Sequence, residues 1–155
     1  MINSTVKTVI KFIIILLSLF VSVNYSPEGI ASDPINLEKK FYEKFNSLPP
    51  IKRDDFLDTY LNTMVNCNGS FISADSSSRY GKDMRIVLAD MEALKYNMHI
   101  RWYVFMESRQ KKKLKLSKND ILKFRGSFAA YTPLNTSRNE YIFDIILTDD
   151  TNWTD

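Results

Sequence analysis

The sequence contains few of the residues from which common catalytic and redox sites are built. Its 155 residues include one cysteine, Cys67, and one histidine, His99. This excludes an internal disulfide framework and a zinc site made of cysteine and histidine ligands. The four glycines, at positions 29, 69, 81 and 126, cannot form a glycine-rich nucleotide loop, and no Gly-x-Ser-x-Gly or His-Glu-x-x-His motif is present. We therefore expect no catalytic residues, no metal site and no cofactor.

A strong excess of charge of one sign is missing as well. The chain has 21 lysines and arginines against 18 aspartates and glutamates, which gives a formal net charge of +3. This balance is too close to neutral to indicate a strongly charged partner. The hydrophobic content of 45% is that of an ordinary globular protein, and the length accommodates a single domain.

Residues 1–31 have the pattern of a secretory signal peptide. Lys7 and Lys11 precede an apolar run over residues 12–23, and a positively charged region before such a run is typical of export signals. The run is short for a membrane-spanning helix, which needs ~20 apolar residues. We predict cleavage before Ser32 and export to the periplasm, the cell envelope or the outside. The alternative is an uncleaved membrane anchor formed by the same apolar run.

Residues 32–63 are predicted to form a helical lead-in. Apolar residues recur at roughly helical spacing from Ile35 to Phe45, and Asp33-Pro34 supplies an N-cap and a first-turn proline. A second helix is expected from Asp54 to about Thr63, because apolar side chains recur there at the same spacing.

Residues 64–148 predict a mainly β fold of five strands, because apolar and polar residues alternate in each of them. The strands are expected at residues 65–71, 84–89, 98–107, 121–131 and 141–148. The lone Cys67 is expected to be buried in the first strand, and the alternative is a reactive or intermolecular thiol. The predicted core contains Val65, Cys67, Phe71, Ile86, Leu88, Ile100, Trp102, Val104, Phe124, Phe128, Phe143 and Ile145.

Five short alternating strands fit a small closed barrel, since closure removes exposed strand edges. Gly126 in the fourth strand suits a bend or bulge where a small barrel turns. The alternative is an open meander packed on the two helices. Residues 149–155 are predicted to be a flexible tail.

Several segments together carry a resemblance to a known group of proteins. They are Tyr60-Leu61-Asn62, Val65 to Gly69, Arg85 to Leu88, Ile100 to Phe105, and Leu116 to Gly126. In this order they resemble the exported OB-fold domains of the tRNA anticodon-binding-like family, over roughly residues 54–148. The usual Gly-Asp before the fourth strand is Asn119-Asp120 here, and asparagine tolerates the left-handed conformation. The resemblance implies a five-stranded OB-type barrel and no particular activity.

The third predicted strand and the loop after it supply a candidate binding surface. In an OB fold, this region is where oligonucleotides or oligosaccharides usually lie, and aromatic side chains stack on bases while lysines follow phosphates. The candidate ligand-binding residues are Arg85, Arg101, Tyr103, Phe105, Arg109, Lys111, Lys112, Lys113 and Lys115.

These residues predict a non-catalytic binding module whose partner is a protein or an anionic ligand. Charge reversal at Lys111, Lys112 and Lys113 is expected to abolish binding of an anionic ligand. The alternative function is binding of single-stranded nucleic acid, which export disfavours. A further alternative is that the lysines only keep the loop soluble, and that the outward aromatic residues lie beneath a lead-in helix.

Overall fold

The structure, a computed structural model, describes residues 33–111 and 116–147, without the side chains of residues 110 and 111. The predicted signal segment, residues 1–31, and the predicted tail, residues 149–155, lie outside these described residues. Within them, no helix is both long enough and apolar enough to cross a membrane.

Strands dominate the described part of the chain, which confirms the predicted mainly β class. Short helices precede the strands and connect them, and a single 3₁₀ turn, Arg79–Gly81, separates the second and third strands. The elements are β1 (Ile35–Asn36), α1 (Lys39–Ser47), α2 (Pro50–Asp58), β2 (Met64–Ser76), β3 (Met84–Ala89), α3 (Met91–Leu94), β4 (His99–Met106), α4 (Ser108–Lys111), β5 (Ile121–Pro133) and β6 (Glu140–Ile146).

The five long strands, β2 to β6, pair in an order that returns to its starting strand. β2 pairs with β3 and β3 with β4, both antiparallel, and β4 then pairs with β6 in parallel. β6 pairs antiparallel with β5, and β5 pairs antiparallel with the first half of β2. Each long strand therefore has two long neighbours, while the two-residue β1 adds to β2 in parallel.

The inner faces of these strands form an aromatic core. The ring of Phe143 lies 5.3 Å from the ring of Trp102 and 5.2 Å from that of Phe128, in edge-to-face contacts. Every predicted core residue is buried except Phe71, which is partly exposed and packs against the core. Cys67 is buried, as predicted, and burial raises the pKa of its thiol.

Gly126 allows β6 to approach β5 more closely than a larger residue would. A Cβ atom at this position would lie 2.6 Å from Cγ2 of Ile145 and 2.7 Å from the carbonyl oxygen of Ile146. Real Cβ atoms do not come this close to other atoms. A residue with a side chain at this position would therefore push β5 and β6 apart. The predicted importance of this glycine thus lies in close packing, and the bulge of β5 falls slightly later, between Phe128 and Ala130.

Both lead-in helices begin at residues other than those predicted. Ile35 and Asn36 pair with β2, and the amide of Leu37 donates to the Asn66 carbonyl at 2.9 Å. Backbone bonding to β2 therefore replaces the first predicted helical turn, and α1 begins only at Lys39.

The second helix starts and ends earlier than the apolar spacing indicates. Pro50 is its first residue, a position where the fixed φ of proline is favourable and its missing N–H is not needed. After Asp58 the chain turns, and Asn62 has a positive φ of 63° while its amide donates to the Phe128 carbonyl. That contact with β5 ends the helical stretch before Thr63.

Candidate binding surface

Strands β3 and β4 bring four of the predicted binding residues onto one outward face. Their register places Arg85 opposite Phe105 and Ala89 opposite Arg101, with Tyr103 between these two pairs. Side chains two residues apart on a strand share a face, so these side chains all lie opposite the core. We call the face of β3, β4 and β6 that points away from the core the outer face.

Arg85 and Tyr103 form a stacked pair on the outer face. The guanidinium carbon of Arg85 lies 4.5 Å from the centre of the Tyr103 ring, which is a cation–π contact. Arg85 also donates to the carboxylate of Asp75 at 3.2 Å, because β2 extends to Ser76 and places Asp75 directly opposite it. The charge of this predicted binding residue is therefore compensated within the protein.

Phe105, which is a predicted ligand-binding residue, is covered by another segment of the protein. Its side chain points away from the core, as the alternation predicts, but none of its surface is exposed. The Tyr80 ring covers it with centres 4.9 Å apart and an interplanar angle of 74°, and the guanidinium carbon of Arg79 lies 5.3 Å from its centre. The cover is the turn before β3, not the lead-in helix that the alternative interpretation required.

A buried carboxylate next to Phe105 holds this turn in place. Asp144 of β6 lies opposite Tyr103 in the parallel pair and is 3% exposed. Its Oδ2 atom accepts a hydrogen bond from the Tyr80 hydroxyl at 2.8 Å and forms an ion pair with Nη2 of Arg79 at 2.7 Å. Burial, followed by the bond to Asp144, raises the pKa of the Tyr80 hydroxyl.

Sequence reasoning missed Arg79, Tyr80 and Asp144 as members of this face. The alternation of β6 does place Asp144 outward between Phe143 and Ile145, and that was the one available signal. Its partners come from a loop far earlier in the chain, so no local pattern could identify them.

Arg101 and Arg109 have different electrostatic surroundings. Arg101 is exposed, and among the described residues it has no ion-pair partner. It borders a small cleft of about 150 Å³ with His99, Leu134 and Glu140. Arg109 lies beyond the end of β4 and pairs with Glu107 at 2.5 Å.

The rest of the predicted lysine loop is not described. The side chain of Lys111 and all of Lys112, Lys113 and Lys115 lie outside the described residues. Their contribution to binding stays a prediction.

A second, larger groove lies on the face of β2 and β5, and sequence reasoning missed it because it did not predict β1. The groove has a volume of about 470 Å³. The side-chain amide of Asn66 donates to the side-chain oxygen of Asn36 in β1 at 2.9 Å, and this bond joins two walls of the groove. The side chains that line it are polar or charged apart from two core residues, and they include Asn36, Glu38, Asn66, Asn68, Lys123 and Arg125.

Two further features bear on chemistry. Among the described residues, no three histidine, cysteine or acidic side chains are grouped so that they could hold a metal ion.

Asp90 is a buried carboxyl group that accepts hydrogen bonds from the Tyr42 hydroxyl and, at 2.9 Å, from the Ala93 amide. Burial raises its pKa to about 6, but it lines neither groove and faces the core.

No family model matches the sequence, and no curated protein matches it. A lipoprotein from Klebsiella pneumoniae, to which nucleic acid binding is ascribed, superposes with a TM-score of 0.48 at 13% identity; the match covers 84% of this chain and 100% of that one. DNA binding domain A of S. cerevisiae Replication Protein A gives a TM-score of 0.35 at 13% identity, over 70% of this chain and 88% of that one. Similarities of this extent identify neither a family nor a function for the chain.

Proposed function

We propose that this chain is an exported, non-catalytic binding module of the cell envelope, built on an OB-type barrel, which binds its partner through the outer face. The order of strand pairing supports the OB-type assignment, because the third and fifth long strands pair in parallel and the first meets the fourth. Binding surfaces of OB folds lie on the second and third strands, which here are β3 and β4. The partner is a protein or an anionic ligand.

The paired charges of the outer face carry this proposal and favour a protein partner. Arg79 is paired with Asp144, and Arg85 with Asp75. A nucleic acid gains affinity mainly when several free lysines and arginines neutralise its phosphates and release the bound counterions into solution. On the outer face two arginines are already paired, and the two acidic side chains would repel a polyanion. Tyrosine and arginine, which line this face, are enriched in protein–protein contact surfaces.

The non-catalytic part of the proposal rests on the surroundings of His99 among the described residues. His99 is exposed, and within the described part of the chain no carboxylate hydrogen-bonds to it. A histidine that acts as a base normally has a partner that orients its ring.

Site-specific photo-cross-linking in cells tests the proposed surface. Tyr103→p-benzoylphenylalanine places the probe on the outer face of the full-length chain, and Lys123→p-benzoylphenylalanine, on the β2–β5 face, is the matched control. We expect discrete cross-linked proteins from position 103 that are absent from position 123 and are reduced when Arg101→Glu is added. Identical adducts from both positions would count against the outer face.

A second measurement distinguishes anionic ligands from protein partners. Fluorescence anisotropy with a labelled heparin oligosaccharide and a labelled oligothymidylate measures binding at several salt concentrations. If an anionic ligand is bound on the outer face, Arg101→Glu weakens binding by about fivefold while Lys123→Glu leaves it unchanged. Steep salt dependence with the oligothymidylate would favour the nucleic-acid alternative. If neither probe binds and position 103 yields no adduct, the proposed function is wrong.

A further inference from the structure

The Arg79–Gly81 turn fills a site on the outer face with two side chains of complementary chemistry. The guanidinium of Arg79 and the hydroxyl of Tyr80 both meet Oδ2 of Asp144, at 2.7 and 2.8 Å. Arg79 also donates to the Tyr80 hydroxyl at 3.1 Å, so the three polar groups satisfy one another. A carboxylate buried to this degree needs such partners, because an unpaired buried charge is strongly unfavourable.

The floor of the same site is aromatic. Phe105 lies beneath both side chains, with the Tyr80 ring edge-on to it and the Arg79 guanidinium over its face. Removal of the two covering side chains would leave a phenyl ring exposed beside an unpaired carboxylate. We call this pair of groups, Phe105 and Asp144, the Phe–Asp site.

The backbone of the turn is strained while it occupies the Phe–Asp site. Tyr80 has φ 56° and ψ 25°, and Gly81 follows with φ 67°. A left-handed conformation suits glycine, but it is unfavourable for a residue that carries a side chain. The contacts of Tyr80 with Phe105 and Asp144 therefore hold it in a conformation that its own backbone disfavours.

The backbone hydrogen bonds of the turn lie within the loop that joins β2 to β3, and no strand pair depends on them. The Lys82 amide donates to the Arg79 carbonyl, and the Ser77 amide donates to Asp83. The side chain of Arg79 is 57% exposed, and a Cβ atom at Gly81 would meet nothing within 4 Å. Solvent therefore surrounds the turn on its outer side, and its replacement by another chain requires no strand to separate.

We propose that the Phe–Asp site recognises an arginine and a neighbouring aromatic residue on a partner protein, and that Arg79 and Tyr80 occupy it while the partner is absent. This inference rests on the proposed function and specifies its partner. The occupant found in the protein identifies the chemistry, since Asp144 needs a cationic donor and Phe105 an aromatic or planar group. A phosphate or carboxylate ligand would instead place a like charge beside Asp144.

Competition with the turn makes the inference measurable. A tethered occupant has a high effective concentration, so a free peptide of the same chemistry competes poorly with it. Removal of the two side chains of the turn removes that competition. A peptide with the sequence of residues 77–83, which contains Arg79 and Tyr80, then becomes a direct probe of the site.

The experiment compares binding of this synthetic peptide to the wild-type protein and to the double variant Arg79→Ala, Tyr80→Ala. Amide chemical shifts of the isotope-labelled protein report both the affinity and the place of binding. We expect the double variant to bind the peptide about tenfold more tightly than the wild type, with the largest shifts at Phe105 and Asp144. Adding Asp144→Asn is expected to reverse this gain, and a peptide with glutamine in place of arginine is expected to bind more weakly.

Equal binding to the wild type and the double variant, or shifts confined to another face, would overturn the inference. Should the double variant fail to fold, Arg79→Ala alone still vacates one side of Asp144 and is expected to give an intermediate gain, and no gain counts equally against the inference. The two proposals can fail separately. If position 103 gives cross-links but the peptide does not bind, the outer face stays the binding surface and the arginine–aromatic partner is wrong. If the peptide binds but position 103 gives no cross-links, the proposed interaction with a partner in cells is wrong.

Discussion

Replacement of the buried Asp90 by asparagine is expected to remove one pH-dependent part of the free energy of unfolding. Asp90 is buried, with 2% of its surface exposed. Burial raises its pKa from 3.8 to about 6, and hydrogen bonds from Tyr42 and the Ala93 amide oppose this rise without cancelling it. The folded protein therefore binds the Asp90 proton more tightly than the unfolded chain does.

The direction and size of the effect follow from this difference. A pKa that is raised in the folded state contributes stability that is complete below the unfolded value and is lost as pH rises through the folded value. Here the loss occurs between pH 3.8 and about 6. A difference of about 2 pKa units corresponds to about 3 kcal/mol of unfolding free energy. Asp90→Asn cannot titrate, yet it keeps an acceptor for the Ala93 amide.

Urea denaturation followed by tryptophan fluorescence, at steps from pH 3.5 to 8, measures this contribution. Groups that titrate alike in both proteins contribute equally to the two unfolding free energies, so their contributions cancel in the difference between variant and wild type. We expect the variant to gain about 3 kcal/mol relative to the wild type as pH rises from 3.5 to 7. A difference that does not change with pH would refute the raised pKa. Tyr42→Phe is an internal check, because loss of its hydrogen bond to the carboxylate should move the transition to higher pH.

Three further outcomes are expected. Gly126→Ala should lower the unfolding free energy by about 1–3 kcal/mol in the same urea assay, because its Cβ atom would clash with Ile145 and with the backbone of Ile146. Reversal of Lys111, Lys112 and Lys113 to glutamate should abolish binding of the heparin probe, and unchanged affinity would exclude the lysine loop from the surface. The intact mass of protein expressed from the full-length gene should correspond to a chain that begins at Ser32, whereas a full-length mass in the membrane fraction would indicate an uncleaved anchor.

Alternation of apolar and polar residues predicted most of the strands because it reflects burial on one side of a sheet. The bounds of β3, Met84–Ala89, agree with the prediction. Asn119 was expected to tolerate a left-handed backbone, and its φ is 73°. β2 continues to Ser76, beyond the predicted end at residue 71, and Asp75 gains a partner in Arg85 across the strand pair. Such pairing depends on the neighbouring strand and leaves no periodic signal.

The candidate site was predicted only as far as the direction of its side chains. Alternation correctly placed Arg101, Tyr103 and Phe105 on the side opposite the core. It could not reveal that a turn folds over Phe105, since the position of Tyr80 depends on a carboxylate of β6 that comes much later in the sequence. Side-chain direction is a local property of a strand, whereas exposure depends on everything that packs onto it.

The return of the strand pairing to β2 has a consequence for the order in which the protein can fold. Because the chain is synthesised from its N-terminus, β3 becomes available to β2 early. The first half of β2, however, pairs with β5, which is synthesised much later. Until then one side of β2 has unpaired backbone groups, and such edges invite contact with other chains. Structures dominated by distant strand pairs also fold slowly, in roughly milliseconds to seconds. The last strands made therefore decide when the first one is protected.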